Sequence, residues 1–236
     1  MLSLRKLTRG TLRVGTSDTL ATYVLPAVFA AFRARYPAVE LRLHNRTSPA
    51  VAAQVAERSV DLGVLSLPLP DDLKLAGQPA HELVRLEVLA SQEDVLICPP
   101  NHPLAGRRTV SLASLAGEPM VMLDRSTASR AVFDAGMSAL AARPQVVMEM
   151  SSVEVLKRLV ELGFGLSVVP AFAARRETAQ GSLRAIRLKG LPARQIGLAT
   201  PTVGPLSHAA RAFVEVLRAE LESLPLSRSD SAAARR

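Results

Sequence analysis

Apolar and polar positions alternate along the chain in two rhythms, and the clearest stretch is 146–170, VVMEMSSVEVLKRLVELGFGLSVVP. Val146–Met150 is an apolar run of strand length. Ser151 and Ser152 interrupt it where a helix would begin. Val153, Leu156, Leu159 and Val160 then recur at helical spacing. Gly163 and Gly165 punctuate, and Leu166–Val169 forms a second apolar run before Pro170. A serine hydroxyl at a helix start accepts a bond from an unpaired first-turn amide. The remaining amides and the helix dipole make such a start an anion site.

The same pattern occurs at 39–68, VELRLHNRTSPAVAAQVAERSVDLGVLSLP. Val39–Leu43 reads as a strand. Ser48 is expected to cap the next helix, with Pro49 at the first helical position, where its missing amide costs nothing. Ala52, Val55 and Ala56 stand at the offsets from Ser48 that Leu156, Leu159 and Val160 have from Ser152. A strand follows over Asp61–Leu67. Two strand–serine–helix–strand modules about 100 residues apart predict two similar lobes, with polar helix starts lining a cleft between them.

The rest of the chain fits around these modules. Thr11–Gly15 reads as the first strand, and a helix over Leu20–Tyr36 has Leu20, Val24, Val28, Ala31 and Phe32 on one face, with Pro26 in its early turns. Together with 39–67 this is β-α-β-α-β with short connections, which predicts a parallel sheet covered by helices on both faces. Ligands of such sheets bind beyond the carboxyl ends of the strands. Those ends carry Ser17 and Thr19, Thr47 and Ser48, and Ser66.

After a polar loop at Pro68–Gly77, strands are expected at Leu83–Ala90 and Asp94–Cys98, where the chain crosses to a second lobe. A short helix over Ser111–Gly117, a strand at Pro119–Leu123 and a helix over Arg130–Ala142 follow. The polar loop Asp124–Ser129 brings Arg125, Ser126 and Thr127 to the second lobe's side of the cleft, Arg125 as a counter-charge for a carboxylate or sulfonate. Beyond the 146–170 module lie a helix end at Phe172–Gly181 and a strand at Leu183–Leu188. Gln195–Thr200 reads as the returning crossover, with Thr200 completing the candidate ligand set. The helix Ser207–Leu221 has Ala210, Phe213, Val214 and Leu217 on one face. The expected division is 10–92 with 196–222 for lobe I and 93–195 for lobe II. The polar, arginine-rich tail at 223–236 is expected to be disordered.

Composition narrows the chemistry. Of 236 residues, 48% are apolar and only 3% aromatic, without tryptophan, so the cores must be aliphatic. A stacking pocket for an aromatic ring is disfavoured. The formal charge of +8 comes mostly from scattered arginines. No run interleaves basic and aromatic residues as a single-strand binding surface does. The single cysteine, Cys98, excludes an internal disulfide and lies in an apolar run, so it reads as a small buried hydrophobe. No signal-peptide core and no run of about 20 apolar residues is present. The chain is expected to be soluble and cytoplasmic, with no membrane contact.

Catalytic signals are lacking. His44, His81, His102 and His208 have no metal-ligand spacing to one another or to Cys98. Neither a nucleophile elbow nor a phosphate loop occurs. Asp18, Glu149 and Glu154 stand near the serines without forming a carboxylate pair. No catalytic residue, metal site or cofactor is assigned. An enzyme on the same frame remains a lesser reading, because triads are spatial rather than sequential.

The landmarks GTLRVGTSDTLATYVLPAVFAAFRARYPAVELRL, VDLGV, NHPLAG, SLASLAGEPMV and ELGFGLSVVP, in this order, resemble the effector-binding domain of LysR-type transcriptional regulators from about Gly10 to Leu221. The resemblance implies an α/β, type 2 periplasmic-binding-protein-like fold, two Rossmann-like lobes joined by two crossover strands. It also implies a small, often anionic effector between the lobes. Thr19, Ser48, Ser66 and the Ser126–Thr127 loop match places where family members touch effectors. Ser17, Thr47, Arg125, Ser151, Ser152 and Thr200 join them as candidates. Family members pair through lobe I helices, which are 20–36 and 207–221 here, and assemble as tetramers when full length. Their winged helix-turn-helix precedes the effector domain. About ten residues precede the first strand here, so the chain as it stands is not expected to read DNA, which would be bound only through that missing N-terminal domain. A solute-binding protein of a transport system, with the same fold and cleft, is the alternative.

Overall fold

The computed structural model describes residues 10–224. Of the tail expected at 223–236, Ser223 still belongs to the last helix, and 225–236, like the segment 1–9, lie outside the described residues. The described residues form two compact units, 10–91 with 195–224 and 92–194. In chain order the first unit contains β1 (Gly10–Thr16), α1 (Asp18–Tyr23), α2 (Leu25–Arg35), β2 (Val39–Asn45), α3 (Ser48–Ala56), β3 (Leu62–Leu67), β4 (Lys74–Leu75), β5 (Gln78–Pro79), α4 (Ala80–Leu83) and β6 (Val84–Gln92), whose last residue begins the second unit. The second unit continues with β7 (Asp94–Cys98), β8 (Thr109–Ser111), β9 (Pro119–Leu123), α5 (Ala128–Ala139), β10 (Gln145–Met150), α6 (Val153–Glu161), β11 (Ser167–Pro170), α7 (Arg175–Gln180) and β12 (Arg184–Lys189). The chain returns through β13 (Arg194–Pro201) and ends the described part in α8 (His208–Ser223).

The first unit is a five-stranded sheet in the order β2-β1-β3-β13-β6. β1 is parallel to both β2 and β3, and β13 is antiparallel to β3. Alternation along β1 sends neighbouring residues to opposite faces. Gly15 faces α3, where a Cβ would meet Val51 Cγ1 at 2.6 Å; a Cβ on Gly63 would meet the same atom at 2.7 Å. Only glycine lets α3 lie this close to the sheet. On the other face α2 and α8 stack, with Phe32 and Phe213 in an edge-on contact at 5.4 Å between ring centroids and Phe29 at 6.0 Å from Phe213.

The second unit repeats this order. β10 and β9 are parallel, and Met120 of β9 bridges in parallel to Leu166 just before β11. β7 runs antiparallel to β11 and β12, and β8 is parallel to β12. In both units, therefore, the strand before the module (β1 or β9) lies between the module's two strands, and an antiparallel strand follows. Leu96, Cys98, Met120, Phe133, Met137 and Leu166 belong to its core. Cys98 is fully buried, and burial pushes its thiol pKa up.

Several expected elements differ. The helix expected over 20–36 is two helices, broken at Val24. Pro26 has no N–H for the Thr22 carbonyl and its ring crowds that position, so it starts a new helix instead of continuing the old one. The apolar faces of α2 and α8 are spent on each other: Val28, Phe32, Ala210, Phe213 and Leu217 are buried inside the unit. Ala31 and Ala56 are only half-buried. The loop at 68–77 contains β4, paired with β5. The helix over 111–117 shortens to a 3-10 turn at Leu112–Leu115, because Leu112 and Leu115, three apart, both bury. α5 begins two residues earlier than expected and ends at Ala139. In α6 the buried face is Val153, Leu156, Lys157 and Val160, with Leu159 only half-buried. Lys157 occupies the inward position because its ammonium lies 3.0 Å from Glu177, 2.8 Å from Glu154 and donates to the Ala173 carbonyl. Among the described residues no helix is long and apolar enough to cross a membrane.

Candidate ligand site

In the first unit the carboxyl ends of β1, β2 and β3 converge, with β1 in the middle. Thr16 closes β1; its fully buried hydroxyl donates to the Val64 carbonyl at 2.9 Å, and its own carbonyl accepts from Arg46 N–H at 3.0 Å. These bonds fix the turn into Ser17, the N-cap of α1. Ser17 makes no side-chain cap bond, and its Oγ is buried with no partner. Thr19 lies half-buried in the first turn of α1.

Ser48 is not the cap of α3. Thr47 holds that position, without a side-chain cap bond, and Ser48 is the first helical residue. The Ser48 hydroxyl instead accepts from the Ser66 N–H at 3.1 Å, and both residues are buried. The expected cap fails because Pro49, taken as the first helical residue, sits one place further in. Ser17, Thr47, Ser48 and Ser66 thus gather at one end of the sheet.

Thr200 does not join them. β13 pairs with β3 in the register Ile196↔Ser66 and Ala199↔Gly63. Thr200 therefore stands beside the amino end of β3, about 13 Å along the strand from the level of Ser66 at some 3.3 Å per residue. The antiparallel direction of β13 puts the two residues at opposite edges.

The second unit presents a matching end. Asp124 N–H donates to the Met150 carbonyl at 2.9 Å, which ties the end of β9 to the end of β10. Thr127 caps α5: its Oγ1 accepts from Arg130 N–H at 3.3 Å and donates to the Asp124 carbonyl at 2.8 Å. Arg125 and Ser126 are exposed on the loop between. Ser151 is exposed; Ser152, half-buried, is the N-cap of α6 and makes no side-chain cap bond. Ser17 and Ser152 therefore hold the cap positions of α1 and α6 without hydroxyl bonds, and those first-turn amides are not taken by the caps. Acidic residues lie in both first turns, Asp18 in α1 and Glu154 in α6.

The charge in this end is organised by a residue the pattern did not single out. Arg130, only 2% exposed, donates to Asp134, to Glu149 at 3.0 Å and to the Leu123 carbonyl at 3.1 Å. Its hydrogen bond, followed by its charge and that of Arg125, holds the Glu149 carboxyl below the usual range. Arg125 Nε lies 3.6 Å from Glu149, so part of the counter-charge expected for a ligand is engaged within the unit. The i, i+4 spacing of Arg130 and Asp134 was the available signal. Among the described residues no group of three or more His, Cys, Asp or Glu could hold a metal ion.

Two α/β units, each with hydroxyls and helix starts at the carboxyl ends of parallel strands, joined by two strand crossings, define a ligand-binding domain of type 2 periplasmic-binding-protein-like fold. The chain belongs to the LysR substrate binding domain family, whose model matches residues 5–222. It is similar to the RuBisCO operon transcriptional regulator of Allochromatium vinosum, 31% identical over 219 residues, 92% of this chain and 69% of that protein. The probable RuBisCO transcriptional regulator of Cyanophora paradoxa is 31% identical over 216 residues, 90% of this chain and 64% of that protein. The chain spans between 55% and 69% of the length of these and similar relatives. Among solved structures, the CcmR regulatory domain of Synechocystis PCC6803, in complex with 2-PG, shares the fold with a TM-score of 0.78 at 22% identity, covering 89% of this chain and 97% of that one.

Proposed function

We propose that this chain is the effector-sensing part of a LysR-type transcriptional regulator, and that its effector is a small anion bearing carboxylate or phosphate. The observation that carries this reading is the repetition, in both units, of helix starts and hydroxyls gathered at the carboxyl ends of parallel strands. Ser17, Thr19, Thr47 and Ser66 form one half of the proposed site, with Ser48 as its support. Ser126, Thr127, Ser151, Ser152 and Arg125 form the other. The two units, with bounds near 10–92 plus 196–222 and 93–195, act as the two lobes of this site. Binding shifts the population of lobe arrangements, and the shift reaches DNA through a helix-turn-helix outside this chain. The ligand is sensed rather than turned over, a reading supported by the likeness to transcriptional regulators, and the protein works in the cytoplasm.

The domain pairs with a second copy. Because the apolar faces of α2 and α8 are buried together, the pairing surface is the outer face of α2 at Ala30 and Arg33 with the neighbouring edge strand β2, where Leu43 is 45% exposed. A monomeric mass by light scattering at high concentration contradicts this part.

The test is a thermal-shift titration with 2-phosphoglycolate, inorganic phosphate and simple carboxylic acids. A ligand at 100 times its dissociation constant adds about 2.7 kcal/mol of stability. Thr47→Leu and Ser152→Leu, at positions whose side chains make no cap bond, should keep the fold and lose the shift. A shift that survives both changes refutes the site.

A further inference from the structure

The chain passes from the first unit to the second between Ser91 and Gln92 and returns between Arg194 and Gln195. Asp94 stands just past the first crossing, and Arg194 is the last residue before the second. Their side chains meet in a two-fold bond, Arg194 Nε to Asp94 Oδ2 at 2.6 Å and Nη2 to Oδ1 at 2.7 Å, across 100 residues of sequence. The arginine is 2% exposed and the aspartate 1%. The Arg13–Asp61 pair beside the start of β3, by contrast, is open to water at 43% and 24%.

The first crossing has a second peculiarity. Gln92 is 2% exposed, and neither atom of its side-chain amide has a hydrogen-bond partner. A buried orphan amide is costly, so this joint is poorly held by its own side chain. Immediately beyond it, Glu93 O accepts from Ala171 N–H at 2.9 Å and Asp94 pairs in register with Pro170 of β11.

We infer that the Asp94–Arg194 pair is a clamp that closes the two ends of residues 92–194 and holds β7 at a fixed angle to the start of β13. A tie between the ends of a long segment restricts them as a cross-link does. An apolar pair would hold a core as well as a buried ion pair does. What the planar guanidinium fork adds is direction: two parallel bonds fix the angle as well as the distance between β7 and the start of β13. The inference is independent of the effector's identity.

The test is backbone hydrogen exchange by mass spectrometry on the full chain. Arg194→Lys keeps the charge and loses the fork. The double variant Asp94→Leu/Arg194→Met replaces the pair by apolar contact and leaves no orphan charge. In both, exchange in β7 and in 190–194 should rise about tenfold, as expected when a locally opening segment loses its tie, while β1 and β3 exchange as before. Wild-type exchange in β7 and 190–194 of the double variant overturns the clamp. So does a rise spread equally through β1 and β3, which reports global destabilisation. If Arg194→Lys fails to fold, the double variant alone decides.

Discussion

The Ser48 hydroxyl accepts a hydrogen bond from the Ser66 backbone amide at 3.1 Å, joining the first residue of α3 to the carboxyl end of β3. Both residues are buried, at 4% and 8% exposure. The bond therefore sets how the helix start sits over the strand end. Ser48→Ala leaves the Ser66 N–H without that partner, which costs about 1–3 kcal/mol. Urea denaturation should show the loss as a lower midpoint with an unchanged slope. An unchanged midpoint means the bond contributes nothing and Ser48 is free for another role.

Glu149 makes the second unit sensitive to acid. Its carboxylate accepts a bond from Arg130 at 3.0 Å, and that bond first, then the charges of Arg130 and Arg125, lower its pKa. A depressed folded-state pKa stabilises the fold at pH values above the unfolded value. That contribution disappears as the pH falls through the folded value, since the unfolded chain takes up the proton first. Glu149→Gln should thus cost stability at neutral pH, with the difference shrinking as the pH falls below about 4.3, the ordinary glutamate value. Paired denaturation curves from pH 7 to pH 3 measure it. A wild-type-minus-variant difference that stays constant across that range contradicts the assignment.

The order of elements was legible because strands and helices impose different periods on apolar residues, and both modules carried those periods cleanly. The doubled strand order around β1 and β9 follows from the doubled pattern. What escaped the pattern is positional chemistry. Pro26 breaks a helix whose apolar spacing runs through it. Lys157 lies at an apolar position because Glu154 and, 20 residues later, Glu177 meet its ammonium. Thr200 lies at the wrong edge because sequence does not display the direction of β13. In the candidate site, the residue types at the strand ends were readable. Which hydroxyls are spent on the fold was not: Ser48 and Thr127 are bonded, while Ser17 and Ser152 make no cap bond.

Gly165 is required by the closeness of two backbones. It has φ +154°, and a Cβ there would lie 2.5 Å from the Pro119 carbonyl oxygen. That oxygen accepts the Leu166 N–H at 2.8 Å, part of the parallel bridge between β9 and the start of β11. Backbone cannot yield as a flexible side chain does. Gly165→Ala should cost about 2–4 kcal/mol from conformational strain and overpacking together. Gly163, with open space around its Cβ position, provides the comparison: its φ of +83° makes Gly163→Ala strained but free of the clash. Thermal melts should rank wild type above Gly163→Ala, and that above Gly165→Ala. The reverse order would show that φ, rather than the contact with Pro119, governs this turn.

Lys157 and Glu177 hold α6 to α7. The ammonium and carboxylate are 3.0 Å apart, with side chains 3% and 4% exposed, and the ammonium also donates to the Ala173 carbonyl. Lys157→Met fills the space of the stem but removes the charge, leaving Glu177 buried with only Arg176, itself 71% exposed, at 3.0 Å. Breaking a buried pair costs about 3–5 kcal/mol, and the remaining arginine places the loss at the low end. Glu177→Gln keeps an acceptor for the ammonium and should cost less. The double variant Lys157→Met/Glu177→Leu removes both charges, so its loss should be well below the sum of the two single losses. The shortfall is the coupling read from a double-mutant cycle in urea. Additive losses would mean that Lys157 is held by Glu154 and the Ala173 carbonyl alone, and that Glu177 contributes to the unit through Arg176 instead.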